Sequence, residues 1–390
     1  MRKVGVAGLV ALIAACGSSG GGGTAGDAGT NPGQDATSDA ASLADAAPTD
    51  GGAHADSGAP DDASRSGDAV SASDGGGGDA STLHASPLGG SPVLGSSGCG
   101  ATLSAGAPGL SLPVDGATRT GLFVVPAGYD PALAYPLVFV FHGDGGTGAQ
   151  IRTSLDLEPA AAGKAIFVYL DGANQTWDYA LTGTNADMDF VFAARDYVRG
   201  KACVDLGRTF ATGMSRGGFF VDQLACRYGN AEFAAMAPHS GTLEQDDGNA
   251  YVYGPYKASG GPYIPGEYDF MCPVDGTPSN NPPLPALPPP MFIVHGQCDT
   301  ESGVEFSEGV ITAEHWGFAA RCSTTPDVIT VPDTGACGAV SSCPTFTGDP
   351  CYVAPGCAAG HDVTFCAIPE MGHSVWCNAA ARIWAFFAAH

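Results

Sequence analysis

The feature that most constrains this chain is the run 137–141, Leu-Val-Phe-Val-Phe, in which every residue is apolar. A strand with apolar residues on both faces needs cover on both faces, and parallel sheets flanked by helices provide it. Similar strand-like runs occur at 120–125, 165–170, 209–213, 233–237, 291–295 and 363–368. Helix-like stretches lie between several of them, at 188–199, 217–228, 310–320 and 379–389. This alternation predicts an α/β domain with a doubly wound, mostly parallel sheet. The Pro-rich stretch 282–290 and the Cys-rich stretch 322–357 are interpreted as irregular insertions in that domain.

The first sixteen residues have the pattern of an export signal. Arg2 and Lys3 precede an apolar run, 4–15. That run is shorter than the roughly 20 residues that span a bilayer core about 30 Å thick, and it fits a signal peptide. Its end, Ala14-Ala15-Cys16, resembles a bacterial lipobox, so Cys16 is the predicted lipidation site and the chain is expected at an outer membrane or cell surface. The alternative is an ordinary signal peptide with a cysteine nearby, which predicts an extracellular protein.

Residues 17–95 consist mostly of Gly, Ala, Ser, Asp and Thr and contain no aromatic side chain. Such a composition buries too little apolar surface to offset an ordering entropy of about 1–2 kcal/mol per residue. We therefore expect a disordered, low-complexity N-terminal tether over 17–95, with residues 1–16 as the signal peptide and 96–390 as one folded domain.

Charge and cysteine content narrow the possible partners. The net charge of −25 opposes electrostatic attraction to the phosphates of nucleic acid, so no nucleic-acid partner is expected. Twelve of the 13 cysteines follow Cys16, and an even number in an exported chain predicts disulfides. A zinc cluster within 337–357 is the alternative, but no Cys-x-x-Cys pair occurs there, and we predict no metal. The pairing of the cysteines cannot be read from their spacing.

A candidate nucleophile lies at Ser215, within Gly-Met-Ser-Arg-Gly at 213–217. The motif follows a strand-like run and precedes a helix-like one, which is the context of a nucleophile elbow. In a chain with 58 glycines this motif alone is weak support. Its strength depends on the residues that accompany it.

A glycine-rich loop, His142-Gly143-Asp144-Gly145-Gly146, follows the apolar run 137–141. In enzymes with a nucleophile elbow, this loop and the residue after the nucleophile donate backbone N–H groups to the oxyanion. The predicted donors here are Arg216 together with Asp144 or Gly145. His142 is expected to order the loop by hydrogen bonding.

Two further strand ends supply a carboxylate and an imidazole. Asp299 follows the run 291–295, and His373 follows the run 363–368. The order Ser215, Asp299, His373 is the order of the α/β-hydrolase triad and differs from that of other serine hydrolases. We interpret His295 as structural and His239 as a packing or pocket-wall residue. His361 is the alternative base, but it precedes its strand.

With these residues, 99–390 resembles the extracellular feruloyl esterases and polyhydroxybutyrate depolymerase-like carbohydrate esterases of the α/β-hydrolase fold. The resemblance rests on short motifs in a shared order: Ser97-Gly98-Cys99-Gly100, the stretches 124–130, 136–138, 141–143, 187–191 and 203–205, the Ser215 elbow, and Met371-Gly372-His373. The late series from Cys357 to His373 is most similar to the feruloyl esterases. The resemblance implies hydrolysis of feruloyl or acetyl esters on plant cell wall polysaccharide, or of a polyester.

The expected enzyme is a monomer that uses a Ser-His-Asp triad and needs no metal or organic cofactor. Trp177, Tyr179 and Trp376 are candidates for stacking on a sugar or phenolic ring, although most such side chains are simply packed. Arg216 and Asp144 are unusual near an oxyanion site, and we expect them to pair. The alternatives are a polyester depolymerase, an acetylxylan esterase, a peptidase, or a non-catalytic surface lipoprotein that binds polysaccharide.

Overall fold

The computed structural model describes residues 82–178, 184–243, 287–301, 304–323 and 337–390. Predictions that fall on other positions, including Cys16, Tyr179 and most of the tether, lie outside the described residues. Among the described residues, no helix combines the length and the apolarity required to cross a membrane.

A nine-stranded sheet forms the centre of the described chain. The strands, including a separate two-stranded pair formed by the first two, are β1 (Leu83–His84), β2 (Val93–Leu94), β3 (Gly109–Val114), β4 (Ala117–Val124), β5 (Tyr135–Phe141), β6 (Ile166–Leu170), β7 (Val204–Met214), β8 (Ala235–His239), β9 (Met291–Gly296), β10 (Cys351–Val353) and β11 (Val363–Ile368). The order in the large sheet is β10-β11-β9-β8-β7-β5-β6-β4-β3. Strands from β6 across to β11 run parallel, and β3, β4 and β10 are antiparallel additions at the two edges. The predicted mostly parallel α/β sheet is confirmed.

Helices cover both faces of this sheet. They are α1 (Gly148–Leu155), α2 (Leu157–Ala161), α3 (Ala186–Arg199), α4 (Arg216–Tyr228), α5 (Phe306–Ala319) and α6 (Ala379–Ala389). One apolar core contains side chains of α3, α4 and α5, and the other contains those of α1, α2 and α6. In β5, Phe139 belongs to the first core and Val138 to the second, and both are fully buried. Each such side chain contributes about 1.5–3 kcal/mol by leaving water, which explains why this run must be apolar throughout.

The tether predicted over 17–95 is wrong at its C-terminal end. Residues 82–95 were assigned to the tether, yet the structure describes them with β1 and β2 paired antiparallel. The N–H of Ala134 donates to the carbonyl of Ala85 at 2.8 Å, and Ser96 is buried with its Oγ donating to Ala202. Backbone hydrogen bonds to the domain and one leucine side chain packed against the second core hold this stretch, and composition alone does not reveal these contacts.

Disulfides cross-link the irregular parts of the domain. The described pairs are Cys99–Cys203, Cys298–Cys337, Cys322–Cys357, Cys343–Cys377 and Cys351–Cys366. Cys226 is also disulfide-bonded. The prediction that the cysteines form disulfides is confirmed for these residues, and the structure supplies the pairing.

The strand order locates the functional edge of the sheet. After β5 the chain adds β6 on one side of it and then crosses to add β7 on the other side. At such a switch point the loops after adjacent parallel strands diverge and leave a crevice at their carboxyl ends. The loops after β5 and β7 carry Gly143 and Ser215, so the sheet opens where the sequence predicts chemistry.

Candidate active site

Ser215 occupies a strained turn between β7 and α4. Its backbone angles are φ 57° and ψ −124°, a region that residues with a side chain rarely adopt. A Cβ on Gly213 would collide with the carbonyl of Gly217, and a Cβ on Gly217 would collide with the carbonyl of Phe141. Both flanking positions therefore require glycine. The turn presents Ser215 at the carboxyl edge of the sheet, as a nucleophile elbow does.

The loop after β5 lies directly against this turn. A Cβ placed on Gly143 would be 3.2 Å from Cβ of Ser215. The N–H of Gly145 donates to the carbonyl of Gln175 at 2.8 Å, so this predicted oxyanion donor is already used. Within the described part of the chain, the N–H of Asp144 donates to no acceptor. The geometry thus favours Asp144 over Gly145 as the second donor.

Arg216, the other predicted donor, is the first residue of α4. Helix geometry directs backbone N–H groups at this position out of the helix end. Its side chain lies with Nε 3.9 Å from Oδ1 of Asp144, as expected from the sequence. The two side chains are 28% and 59% exposed, so solvent screening limits this ion pair to about 1 kcal/mol or less.

His142 orders the loop that carries these groups. Its Nε2 accepts the N–H of Gly172 at 2.9 Å, and its Nδ1 lies 2.7 Å from the carbonyl of Gly143, to which it donates. Burial lowers the pKa of His142, which favours the neutral ring that this arrangement requires. His142 therefore joins the loop after β5 to the loop after β6, the ordering role predicted for it.

Asp299 and His373 are brought together from loops 74 residues apart. Nδ1 of His373 lies 2.8 Å from Oδ2 of Asp299, whose side chain is fully buried, whereas that of His373 is 21% exposed. The N–H of Glu301 donates to Oδ1 of Asp299, which holds the carboxylate in place. A buried carboxylate bonded to Nδ1 fixes the tautomer of the ring and leaves Nε2 able to accept a proton.

His239 connects the nucleophile turn to the loop that carries His373. Its carbonyl accepts the N–H of Ser215 at 2.9 Å, and its Nε2 accepts the N–H of Trp376 at 3.0 Å. Burial lowers the pKa of His239 to about 3, so Nε2 stays an acceptor at neutral pH. The remaining ring nitrogen, Nδ1, donates to Oγ of Ser240 at 3.2 Å. Sequence reasoning treated His239 as packing, since nothing local in the sequence marks a contact made 137 residues away.

The predicted stacking residues are not on the surface of this site. Trp177 is 2% exposed and donates from Nε1 to the carbonyl of His142, packed edge-on against Phe141. Trp376 is 3% exposed. Both predictions are corrected for the described structure, because a buried indole has no face to offer a sugar. Tyr179 lies outside the described residues.

His295 and His361 also have structural contacts. Nε2 of His295 lies 2.7 Å from the carbonyl of Val304 and donates to it, and the ring is fully buried. Nδ1 of His361 lies 2.7 Å from the carbonyl of Pro288, beside the residues that precede β9 and β11. His361 is thus at the opposite edge of the sheet from Ser215, because β9 and β11 run parallel to β7.

The strand order, the strained Ser215 turn at the switch point and the paired Asp299 and His373 define an α/β-hydrolase fold. In sequence the chain is a homologue of feruloyl esterases, and the predicted resemblance is confirmed. It is 38% identical over 132 residues to feruloyl esterase C of Emericella nidulans, a match that covers 32% of this chain and 47% of the relative. It is 31% identical over 129 residues to feruloyl esterase B of Piromyces equi, covering 31% of this chain and 24% of the relative. The chain thus spans about half, or less, of the length of these curated relatives.

Solved structures with a similar course of chain include acetyl xylan esterase from Aspergillus awamori. It has a TM-score of 0.48 and 17% identity, covering 72% of this chain and 99% of that protein. A mutant of the feruloyl esterase module from Clostridium thermocellum complexed with sinapinate has a TM-score of 0.42 and 14% identity, covering 72% and 87%. No family model matches the chain.

Proposed function

We propose that this protein is an exported serine carboxylic-ester hydrolase that removes feruloyl or acetyl groups from plant cell wall polysaccharide. The proposal is supported by the homology to feruloyl esterases. The observation that carries it is that the strained serine turn and the loop of the Asp299–His373 pair are both bonded to one residue. His239 bonds both to Ser215 and to the loop of His373.

In the proposed reaction, Nε2 of His373 takes the hydroxyl proton of Ser215 as Oγ attacks the ester carbonyl. Asp299 holds the imidazole by its bond to Nδ1 and stabilises the imidazolium that forms. His373 then donates the proton to the departing alcohol, and water hydrolyses the acyl-enzyme by the same route. Every proton moves between these side chains, substrate and water, so the reaction requires no metal or organic cofactor.

The oxyanion is proposed to bind between the backbone N–H groups of Arg216 and Asp144. Two such donors, fixed before substrate arrives, stabilise the charge that develops on the carbonyl oxygen. The side chain of Arg216 offsets the negative charge of Asp144 beside that oxygen. The same guanidinium favours substrates that carry an acidic group.

We further propose that Cys16 is lipidated, that 1–16 is the signal peptide, and that the low-complexity stretch preceding residue 82 tethers the esterase domain to a membrane. The disulfides among the described residues fit an oxidising, extracytoplasmic location. The test is metabolic labelling of the full chain with an acyl-chain analogue. Wild type is expected to incorporate label and Cys16→Ser is expected to lose it; equal labelling of both would refute the anchor.

The hydrolase proposal is tested with a fluorophosphonate probe and mass spectrometry of the labelled peptide. Wild type is expected to be labelled at Ser215, and Ser215→Ala is expected to lose both labelling and turnover, the latter by about 10⁴-fold or more. Ser154→Ala, on the exposed side of α1, is the matched control and is expected to retain both. Labelling that survives Ser215→Ala would refute the proposed nucleophile.

A substrate panel tests the substrate class. Methyl ferulate, acetylated xylan, polyhydroxybutyrate film and a peptide anilide are compared by kcat/KM. The proposal expects the ferulate or the acetyl ester to be the best substrate. Preference for the film or the anilide would replace it with a depolymerase or a peptidase, and no turnover by a correctly folded protein would indicate a non-catalytic binding protein.

A further inference from the structure

A short segment, residues 337–343, touches both the loop after β9 that carries Asp299, called here the acid loop, and the loop after β11 that carries His373, called here the base loop. We call it the clip segment. All seven of its residues are exposed, so it buries little apolar surface of its own. Packing against the core therefore does not hold the clip segment in place. Disulfides and backbone hydrogen bonds hold it instead.

At its first residue the clip segment is joined covalently to the acid loop. Cys337 forms a disulfide with Cys298, the residue immediately before Asp299. The acid loop also meets the base loop directly, because the N–H of Cys298 donates to the carbonyl of Met371 at 2.9 Å. The position of Asp299 is thus set by a covalent bond and a backbone hydrogen bond at the adjacent residue.

At its last residue the clip segment is joined covalently to the base loop. Cys343 forms a disulfide with Cys377, four positions after His373. On the other side of His373, the N–H of Ser341 donates to the carbonyl of Glu370 at 2.9 Å. The N–H of Cys377 donates to the carbonyl of Ser342 at 3.0 Å. The clip segment therefore holds the base loop both before and after His373.

The base loop needs such support. Between the end of β11 and the start of α6 it forms neither helix nor strand, so no regular ladder fixes it. Acyl transfer requires the base within hydrogen-bond reach of the nucleophile, and a displacement of about 1 Å lowers turnover by about 10²-fold. The two disulfides of the clip segment restrict the movement of the acid loop and the base loop relative to each other, and so limit changes in the Asp299–His373 distance.

We infer that the clip segment is a positioning element for the reaction, which ties the acid loop to the base loop and sets the geometry of the Asp299–His373 pair. The inference rests on the proposed function. The segment touches neither the nucleophile turn nor the loop after β5 in any described bond, so it acts through Asp299 and His373 alone.

The chain offers a matched control for removing the two disulfides of the clip segment. The two clip disulfides close sequence separations of 39 and 34 residues, and Cys322–Cys357 closes 35. Because disulfide stabilisation through the unfolded chain varies with the logarithm of loop length, the three losses of stability are expected to be similar. Cys357 lies on the loop before β11, at the opposite edge of the sheet from His373.

The test compares Cys298→Ser/Cys337→Ser and Cys343→Ser/Cys377→Ser with Cys322→Ser/Cys357→Ser in the full chain, each corrected for folded fraction by circular dichroism. Both clip variants are expected to lose about 10- to 100-fold in kcat with KM within about twofold of wild type. The control is expected to keep kcat within about threefold while losing a similar amount of Tm. Equal kcat in all three variants would overturn the inference.

A second variant covers the case in which loss of a disulfide prevents folding. Insertion of Gly-Gly after Val340 keeps both disulfides but lengthens the clip segment, and the same insertion after exposed Thr347 is its control. The first insertion alone is expected to lower kcat, by about tenfold. Loss of kcat in neither insertion, or equally in both, would overturn the inference.

An NMR readout separates failure of this inference from failure of the proposed function. The downfield Nδ1 proton of His373, bonded to Asp299, is observable without substrate. It is expected in wild type and the Thr347 insertion, and broadened or lost in the Val340 insertion, even if the protein proves not to hydrolyse any ester. An unchanged resonance in the Val340 insertion would refute the positioning role, whatever the result of the substrate panel.

Discussion

Nε2 of His239 accepts the backbone N–H of Trp376 at 3.0 Å, across 137 residues of chain. The same histidine accepts the N–H of Ser215 through its carbonyl, so one buried residue sets the separation between the nucleophile turn and the base loop. A neutral imidazole suits this role because burial holds its pKa near 3 and keeps the acceptor lone pair available.

Loss of this acceptor is expected to affect turnover more than substrate binding. His239→Leu removes Nε2 and is expected to lower kcat by about 10- to 100-fold with little change in KM, because the base loop is no longer held at a fixed position relative to the Ser215 turn. His239→Gln retains an oxygen near that position and is expected to recover part of the rate. Steady-state kinetics on the best substrate provides the measurement. His315→Leu, a buried histidine on α5, is the control, and an equal loss of kcat there would contradict the positioning role of His239.

The pairing of Arg216 with Asp144 is expected to appear as a coupling in a double-mutant cycle. Arg216→Ala leaves the carboxylate unopposed beside the developing oxyanion, and we expect kcat to fall by about tenfold. Asp144→Asn removes that charge and is expected to change kcat little by itself. The combined variant is expected to recover most of the rate lost in Arg216→Ala. If the two effects multiply without recovery, the charge of Asp144 does not act on the oxyanion site.

Gly217→Ala is expected to destabilise the fold, because its Cβ would collide with the carbonyl of Phe141. Overpacking against a rigid backbone costs about 1–3 kcal/mol of unfolding free energy. Urea denaturation followed by circular dichroism measures this change. Gly109→Ala, where a Cβ meets nothing within 4 Å, is the control and is expected to stay within about 0.5 kcal/mol of wild type. Equal stability of the two variants would mean that the backbone of the turn shifts to accommodate the added Cβ without cost.

Burial of Asp222 is expected to make the free energy of unfolding depend on pH. It is fully buried on α4, its Oδ1 accepts Nε1–H of Trp316 at 2.8 Å, and burial raises its pKa to about 8. From its ordinary value of 3.8 up to about pH 8, the folded state holds a proton that the unfolded state has released, so this group destabilises the fold increasingly as pH rises.

Asp222→Asn removes this dependence and keeps an acceptor for Trp316. Its unfolding free energy is expected to match that of wild type near pH 4, to exceed it increasingly up to about pH 8, and to keep that advantage above. Urea unfolding at pH 5, 7 and 9 measures the difference. A difference between the two proteins that does not grow with pH would show that Asp222 is ionised in the folded state.

The parts of this protein that sequence reasoning found are those governed by local rules. The run 137–141 had to be a strand covered on both faces, since each of its side chains is apolar. Gly213 and Gly217 flank a serine in a turn that excludes larger residues, so the five-residue motif 213–217 identifies the candidate nucleophile. Because parallel strands bring their carboxyl ends to one edge, Asp299 and His373 could be assigned to that edge before their contact was known.

The tertiary structure decided everything that depends on a partner distant in sequence. The carbonyl of Gln175 accepts the N–H of Gly145 and leaves Asp144 as the proposed donor, and Trp177 is buried where it had been expected to meet substrate. The cysteine pairs and the bridging role of His239 were equally unreadable. Hydrogen bonds and disulfides form between groups that the fold brings close, and their sequence spacing carries no record of that proximity. The sequence alone determined which residues have the chemistry and which edge they share; the packed chain determined which of them are free to use it.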